Sequence, residues 1–553
     1  MSEYEHYEAV VVGAGPGGCA AAKSLADRGV ETLVLERGVE SGSKNVSGGL
    51  IYAEESAKYT VEDLFPEFRE EAAERPITGY HMHNVSGDKV KSVDITRLHE
   101  HDTEWSDAVL RRHMDSWMEE RVHEVASETG GGVLNDIRVN GLLRENGEIV
   151  GVTCDEIDPI KADMIVAADG VNSELARDAG MMDWDDPEEW FQGVKAVVDI
   201  GEQEVRERFG ITDSEGEAHL FSGDLFDGVR GGGFLYTNEE TLSIGTVFHL
   251  DSIVDKRAEP HELLNNLLTH PLLADWITED DVEVEYSAKL VPDAKKAAHP
   301  SPHKDNLVLV GDAAGQMQAA GPVIKGMNHA VNAGALAGEA FAQAHDKDNA
   351  GELYTKKLYE DGMFDKMQPK RYELVGKMGE NEALTSIVDG FLKSSVGRAV
   401  IGSSVFESLL PRFLGSPTLS TMVPDTRTSY VTIPTVIAEE LGEPVTQEND
   451  WVPKSLLDRI GDLTYDTDVG NPHIDLLDNS YVASGDAVTA CPVSARDFGG
   501  GCYREETVQA NGHSKKKVSL DTQPCVECGT CAIVADTEWR HPEGGKGVEF
   551  KEG

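Results

Sequence analysis

The chain has 553 residues, of which 100 are acidic and 49 basic, giving a formal net charge of −51. At 40% hydrophobic content it is too apolar to remain unfolded, and it is long enough for two or three cored domains. Phosphate recognition needs a basic face, so the acidity excludes a nucleic-acid partner.

The opening segment MSEYEHYEAV is acidic and lacks the cationic and apolar regions of a signal peptide. No stretch approaches the ~20 apolar residues of a spanning helix. The expectation is a protein with neither a signal peptide nor a transmembrane helix. Glu8 to Val12 reads as a buried strand, followed at once by Gly13-Ala-Gly15-Pro-Gly-Gly18, a small-residue helix over 19–28, a second strand over 32–35, and Glu36. This is the dinucleotide-binding strand–turn–helix pattern in its required context. Gly13, Gly15 and Gly18 let backbone N–H groups and a helix N-terminus approach a pyrophosphate, and Glu36 is placed to accept from ribose hydroxyls. The motif alone does not choose between FAD and NAD.

Further along, Arg111 and Asp115 are spaced as an i,i+4 helix pair. A β-meander is expected over 133–152, and a strand over 164–168 ends in Asp169-Gly170. Residues 190–295 alternate as strands of an antiparallel sheet. Gly231, Gly232, Phe234 and Tyr236 are candidates for the wall of a binding pocket, although glycines in such a sheet also mark bulges. A strand over 307–310 runs into Gly311-Asp312-Ala-Ala-Gly315 and a small-residue helix from Gly326 to Ala342. A second acid at a strand-to-helix turn this far along suits FAD, which adds a ribityl arm and a flavin ring.

The expected architecture is an α/β FAD-binding Rossmann-type domain (1–190 and 300–345) with an inserted antiparallel β-sheet domain (191–299). A helical region (346–455) follows, and an α+β ferredoxin-like domain (456–553) lies beyond a polar linker at 446–450. Within the helical region, 385–414 has only Asp389 and Glu407 as acids. Its apolar residues, with Lys393, Arg398 and Arg412, suit an amphipathic segment lying on a membrane. The alternative is a helical pair packed on the FAD domain.

Residues 481–535 carry two cysteine runs of the bacterial ferredoxin type, C-x2-C-x2-C-x3-C-P, in which the fourth cysteine of each run ligates the other run's cluster. Counting back from Cys491-Pro492 reaches Ala487, Ser484 and Tyr481; the second run is Cys525, Cys528 and Cys531, with Ala535 fourth. The four lost positions belong to one cluster. Cys491, Cys525, Cys528 and Cys531 belong to the other, which implies one [4Fe-4S] cluster. A four-cysteine zinc knuckle has no reason to follow this spacing. Of the other cysteines, Cys19 and Cys154 read as structural and Cys502 as a free thiol, or alternatively a substitute ligand, in a flexible loop over 499–517. Its Ser514-Lys-Lys-Lys517 is the densest basic run in the chain and reads as a solvated loop or as a docking site for an acidic partner or lipid headgroup. An odd cysteine count beside a thiolate cluster fits a reducing compartment.

Gly311-Asp312-Ala-Ala-Gly315, Gly326-Met-Asn328 and Arg111 with Asp115 and Trp117 resemble the geranylgeranyl reductase and electron-transfer flavoprotein dehydrogenase superfamily. There Asp312 would hold the ribityl or pyrophosphate portion of FAD, Gly326 and Asn328 would lie against the isoalloxazine, and Arg111 would reach the cofactor. The segments 43–49 and 231–236, with the cysteine-rich end, look most like the electron transfer flavoprotein–quinone oxidoreductases and the flavin subunit of the nitrogen-fixation electron-transfer complex. The resemblance implies electrons entering from an electron transfer flavoprotein and leaving to a quinone that would meet Gly231, Gly232, Phe234 and Tyr236, with the protein bound peripherally at the cytoplasmic face of the cell membrane. It also admits a geranylgeranyl reductase, a subunit of a flavin-bifurcating complex, or a protein-to-protein electron relay.

So many carboxylates on a folded chain suggest adaptation to high salt, and with it menaquinone as the acceptor. Screening contracts from about 10 Å at 0.1 M to about 3 Å at 1 M salt, which relieves self-repulsion. The melting temperature should therefore rise substantially between 0.1 M and molar KCl. A flat series would remove the salt inference and the preference for menaquinone.

Overall fold

The computed structural model describes residues 4–553 except 47, 100–102, 184–185, 294–298, 300, 321–322, 346, 366–381, 415–425, 468–470, 497–499 and 511. Strands His6–Val12, Thr32–Leu35, Gly132–Leu134, Ile160–Ala167 and Leu307–Leu309 pair in parallel, with His6–Val12 between Thr32–Leu35 and Ile160–Ala167. Val10 sits in register with Leu33 on one side and Ile165 on the other. Such strands are buried on both faces and so read as continuous apolar runs. The meander is present as strands Val139–Glu145 and Glu148–Cys154. Helices Pro16–Ala26 and Met327–Gln343 pack closely because their contact is made of glycine and alanine. A Cβ on Gly334 would lie 2.2 Å from the Gly17 carbonyl, and Ser24 Oγ donates to the Ala335 carbonyl at 2.8 Å. This contact joins the first βαβ unit to the late Asp312 segment.

A second sheet runs in the order Val282–Pro292, Trp190–Asp199, Thr241–His249, Gly231–Thr237, Glu217–Gly223, Gly79–Ser86, Lys89–Asp94, Glu443–Pro444. All its pairings are antiparallel except Glu217–Gly223 with Gly79–Ser86. It therefore takes in residues 79–94, which sequence reading grouped with the nucleotide unit. Their alternation of Tyr80 and Met82 with His81 and His83 announces a two-faced strand but not the sheet it joins.

One face of this sheet (Tyr80, Met82, Leu220, Phe234, Tyr236) shares a core with Ile401, Leu410, Val436 and Ile437 from the helical region. The other face (Phe221, Leu235, Ile244, Tyr286, Leu290) shares a core with the cysteine-rich unit. Within that unit, Thr464–Asp466 pairs Gly547–Glu549, Ile474–Leu476 pairs Thr537–Trp539, and short helices Tyr481–Ser484, Ala487–Ala490 and Thr530–Val534 lie between.

Three expectations are corrected. The loop expected at 499–517 is largely a β-hairpin, Tyr503–Ala510 with His513–Leu520. The Asn511-Gly512 sequence between the strands is the strongest short hairpin signal, and it was obscured by the surrounding lysines. The segment 446–450 is tied down rather than a free linker: Asn449 donates to the Leu268 and His270 carbonyls, and Trp451 next to it is buried. The apolar segment at 385–414 is divided. Ile401 and Leu410 are buried, Leu392, Phe406 and Leu414 are partly so, and Ile387, Phe391, Val396, Val400, Val405 and Leu409 are exposed. One side of the segment therefore packs against the second sheet, and the other side is exposed. No helix among the described residues is long and apolar enough to cross a membrane.

Candidate functional site

A single cavity runs from the first βαβ turn to the second sheet, lined along the way by Gly13, Gly15, Glu36, Arg111, Asp312 and Gly326 and ending at Phe234 and Tyr236. Gly13 has φ +92° and approaches Ala168 so closely that a Cβ would fall 2.5 Å from the Ala168 carbonyl oxygen. Gly15 caps helix Pro16–Ala26 without a side chain. A Cβ there would meet the Arg111 guanidinium at 3.2 Å. Gly18 serves packing instead: its Cβ would lie 1.8 Å from the Gly13 carbonyl. Glu36 is buried, and its two oxygens accept from Ala14 N–H at 2.8 Å and Gly38 N–H at 2.7 Å. Burial raises its carboxyl above the usual range, and those two N–H groups oppose the rise.

Arg111 opens helix Arg111–Glu128. It pairs with Asp115 at 2.6 Å, and Asp115 also accepts from Asn45 at 2.7 Å. The i,i+4 pair and the cavity-facing position are thus the same residue in one pose. Asp312 stands on the turn Gly311–Ala314. Burial pushes its carboxyl up to about 6 against the pull of Arg111 and Lys289. Further cations that sequence reading missed line the cavity, Arg37, Lys44, Arg138, Lys195 and Lys289, of which Lys195 and Lys289 are each pushed down to about 8 by burial. A lysine inside a strand carries no motif. The only signal was a charged residue at an inward position of an otherwise apolar alternation.

Phe234 and Tyr236 stack at 4.9 Å between ring centroids and line the cavity. Gly231 and Gly232 do not. They serve strand packing, since Cβ atoms there would lie 2.2 Å from the Val247 carbonyl and 2.7 Å from the Phe221 carbonyl. Asn328 also points away from the cavity: it is buried and donates to Glu54, which pairs with Lys325.

Cys491, Cys525, Cys528 and Cys531 are all buried in one core. Cys502, expected as a free loop thiol, is instead buried at the hairpin root against Cys491 and Cys525. Those contacts raise its proton affinity and pull Cys525 down to about 5. The preceding glycines gave it the look of a loop residue. Among the described residues, no three or more His, Cys, Asp or Glu side chains converge as ligands of a single ion. Of the lost ligand positions, Ser484 and Ala487 are packed into the interior.

The thiol loop abuts the cavity wall. Asn172 donates to the Glu527 and Cys528 carbonyls at 3.2 and 3.3 Å, Leu290 N–H to the Cys528 carbonyl at 3.4 Å, and Lys289 to the Glu527 carbonyl at 3.2 Å. Asn172, Lys289 and Leu290 all line the cavity. Arg37, the residue after Glu36, pairs with Glu527 at 2.8 Å.

The cradle makes a direct prediction. A side chain at Gly15 fills the space beside Arg111, and truncating Asp312 removes a buried acid from the cavity. Gly15→Val and Asp312→Ala should each purify with flavin strongly depleted, read from the absorbance ratio of flavin to protein. Full occupancy in both would move the site elsewhere.

Residues 6–355 match the family described as FAD binding domain. The chain is 37% identical to Protein FixC of Escherichia coli O157:H7 over 351 residues, 63% of this chain and 79% of that one. It is 33% identical over 345 residues to the probable electron transfer flavoprotein-quinone oxidoreductase YdiS of Escherichia coli K12, 62% of this chain and 78% of that one. Among solved structures, a geranylgeranyl bacteriochlorophyll reductase-like protein from Thermoplasma acidophilum aligns with TM-score 0.52 at 18% identity, over 73% of this chain and 99% of that one, which speaks to the fold. A glycine cradle, an inward acid at the second strand and the Asp312 turn on one cavity agree with these matches: the chain is an FAD-binding flavoprotein oxidoreductase and belongs to the family of FixC and the electron transfer flavoprotein–quinone oxidoreductases.

Proposed function

We propose that this flavoprotein takes electrons from a reduced electron transfer flavoprotein and, using FAD and one [4Fe-4S] cluster, delivers them to a membrane quinone, with menaquinone the acceptor implied by the salt reading. The observation that carries this reading is the join between the thiol loop and the cavity. The Cys528 carbonyl is held by Asn172 and Leu290, both in the cavity wall, so one layer of residues separates the two sites.

The residues suit both groups. Space at Gly13 and Gly15 that a Cβ would fill, a helix N-terminus without a side-chain cap, and the cations Arg111, Lys195 and Lys289 fit an anionic dinucleotide. Four buried thiols at ferredoxin spacing fit a single cubane, with Cys491, Cys525, Cys528 and Cys531 as its ligands and the region 456–553 as a reduced ferredoxin-like unit. When bound, FAD supplies one- and two-electron chemistry and the cluster supplies single-electron transfer. The protein's part is placement and exclusion of water. Glu36 and Asp312 would hold ribose and ribityl hydroxyls. Asn172 and Lys289 fix the thiol loop. Phe234 and Tyr236 give a flat apolar wall on which a quinone ring could lie.

A quinone resides in the bilayer, and the exposed face of Ile387, Phe391, Val396, Val405 and Leu409 is where the protein would rest on the cytoplasmic leaflet. Changing Ile387, Phe391, Val405 and Leu409 to Ser should reduce liposome binding and long-chain quinone reduction while short-chain activity persists. Leu410→Ala should instead destabilise the fold by about 2–5 kcal/mol, since Leu410 is fully buried. Liposome binding unchanged in the quadruple variant would place membrane contact elsewhere.

The ligand assignment has its own test. Purified protein should carry four irons per chain; Cys491→Ala should lose them and Cys502→Ala should keep them. Anaerobic mixing with reduced electron transfer flavoprotein and a short-chain menaquinone should show turnover in the unmodified protein. Iron retained in Cys491→Ala would overturn the ligand set, and no turnover would overturn the function.

A further inference from the structure

The hairpin 503–520 is rooted on the thiols. Cys502 at its base lies against Cys491 and Cys525, and Tyr503 lies against Cys531. One face is anchored at the root, where Val518 is buried; farther out on the same face Lys516, itself exposed, lies over the Tyr481 ring at 4.8 Å and pairs with Glu505 at 2.8 Å. Register sets the opposite face. Lys515 pairs with Val508, and Lys517 with Glu506, so Lys515 and Lys517 share the outer face with His513 and Arg504. Glu506 on that face accepts from Ser519. Among the described residues neither Lys515 nor Lys517 has a carboxylate within ion-pair distance. The root of the ladder is tied down, Lys517 bridging Ser480 and the Val518 N–H donating to the Asn479 carbonyl at 2.9 Å, which leaves Lys517 half-buried and Lys515 exposed. Residues 503–520 carry Arg504 and three lysines against Glu505 and Glu506, a net of +2 on a chain whose total is −51.

We propose that the outer face of this hairpin, centred on Lys515 and Lys517, is the docking surface for an acidic protein that donates electrons to the thiol-bound centre. The inference rests on the function proposed above and adds where its protein partner binds. A chain this acidic repels an acidic partner over most of its surface, and a local reversal of sign directs encounter to one place. That place is the hairpin whose root touches Cys491, Cys525 and Cys531, so docking there brings the partner beside the thiols rather than the cavity. Anionic lipid is the competing occupant of a lysine patch, and the fold argues against it. The hairpin root (Cys502, Tyr503, Val518) shares a core with one face of the second sheet, whereas the exposed apolar helices pack on the opposite face through Ile401 and Leu410. The hairpin root and those helices thus lie on opposite faces of one sheet, which separates the lysines from the surface proposed for lipid.

The test uses the holoprotein, reduced electron transfer flavoprotein, and a series of ionic strengths. Lys515→Glu with Lys517→Glu should raise KM for the flavoprotein about tenfold at the lowest salt at which the protein stays folded, with convergence toward the unmodified protein as screening sets in. The double Arg variant should behave like the unmodified protein. Iron and flavin content, melting temperature, and reduction by a small uncharged reductant should be unchanged throughout. An unaltered KM across the salt series would overturn the proposal. So would loss of binding to anionic vesicles with KM unaltered, which would assign the lysines to lipid. If the unmodified protein fails to oxidise the flavoprotein at all, the functional reading itself falls; turnover that ignores the charge reversal removes only the docking surface.

Discussion

Glu527 stands between Cys525 and Cys528, almost fully buried, at φ +54°. A left-handed backbone costs a non-glycine residue roughly 1–2 kcal/mol, and an isolated buried carboxylate costs several more. Both are offset by one arrangement. Arg37 pairs with the carboxylate at 2.8 Å, the Val548 N–H donates to it at 2.8 Å, and Lys44 and Lys289 add positive charge nearby. Arg37 directly follows Glu36, whose own carboxylate takes the Ala14 and Gly38 N–H groups. Two consecutive residues at one strand end therefore fix the nucleotide turn and the thiol loop together. The distance between the two sites is set by a short rigid strand end rather than by a linker.

The second sheet extends this constraint. Strand alternation sends Lys195 and Lys289 into the cavity and Tyr286 and Ala288 into the core around the thiols. Tyr286 donates to the Pro492 carbonyl at 2.8 Å, so the strand that supplies a cavity cation also holds the Cys491-Pro492 turn. A one-residue slip of this strand would exchange the two faces and damage both sites at once.

What could be read from the sequence follows from how local each determinant is. The βαβ turn, the Asp312 turn and the ferredoxin spacing are short motifs with their chemistry in adjacent residues, and Gly13, Gly15, Glu36, Arg111, Asp312, Gly326, Phe234 and Tyr236 line one cavity. The resemblance of its segment puts Asn328 against the isoalloxazine, but its side chain donates to Glu54 instead. Gly231 and Gly232 were assigned as wall residues, yet they are required by cross-strand crowding. Lys195, Lys289, Asn172 and Arg37 depend on which strand ends meet, which no local pattern encodes. The hairpin was hidden because lysine and serine on an exposed ladder look like loop composition, and only the Asn-Gly pair marked the turn.

The distribution of charge links these parts. The chain is strongly negative overall, but its main cavity is lined by Arg37, Lys44, Arg111, Lys195 and Lys289. Burial lowers Lys195 and Lys289 to about 8, so both remain largely protonated near neutral pH while poorly hydrated. For a base whose folded value is depressed, that charging penalty is fully present below about pH 8 and is relieved as pH rises toward the unfolded-chain value of about 10.4. An anion bound close to these lysines would offset part of that penalty by adding counter-charge. FAD carries such anionic groups, and the cavity that fits it balances these cations with Glu36, Asp169, Glu174 and Asp312, so charge of both signs is concentrated inside an acidic protein.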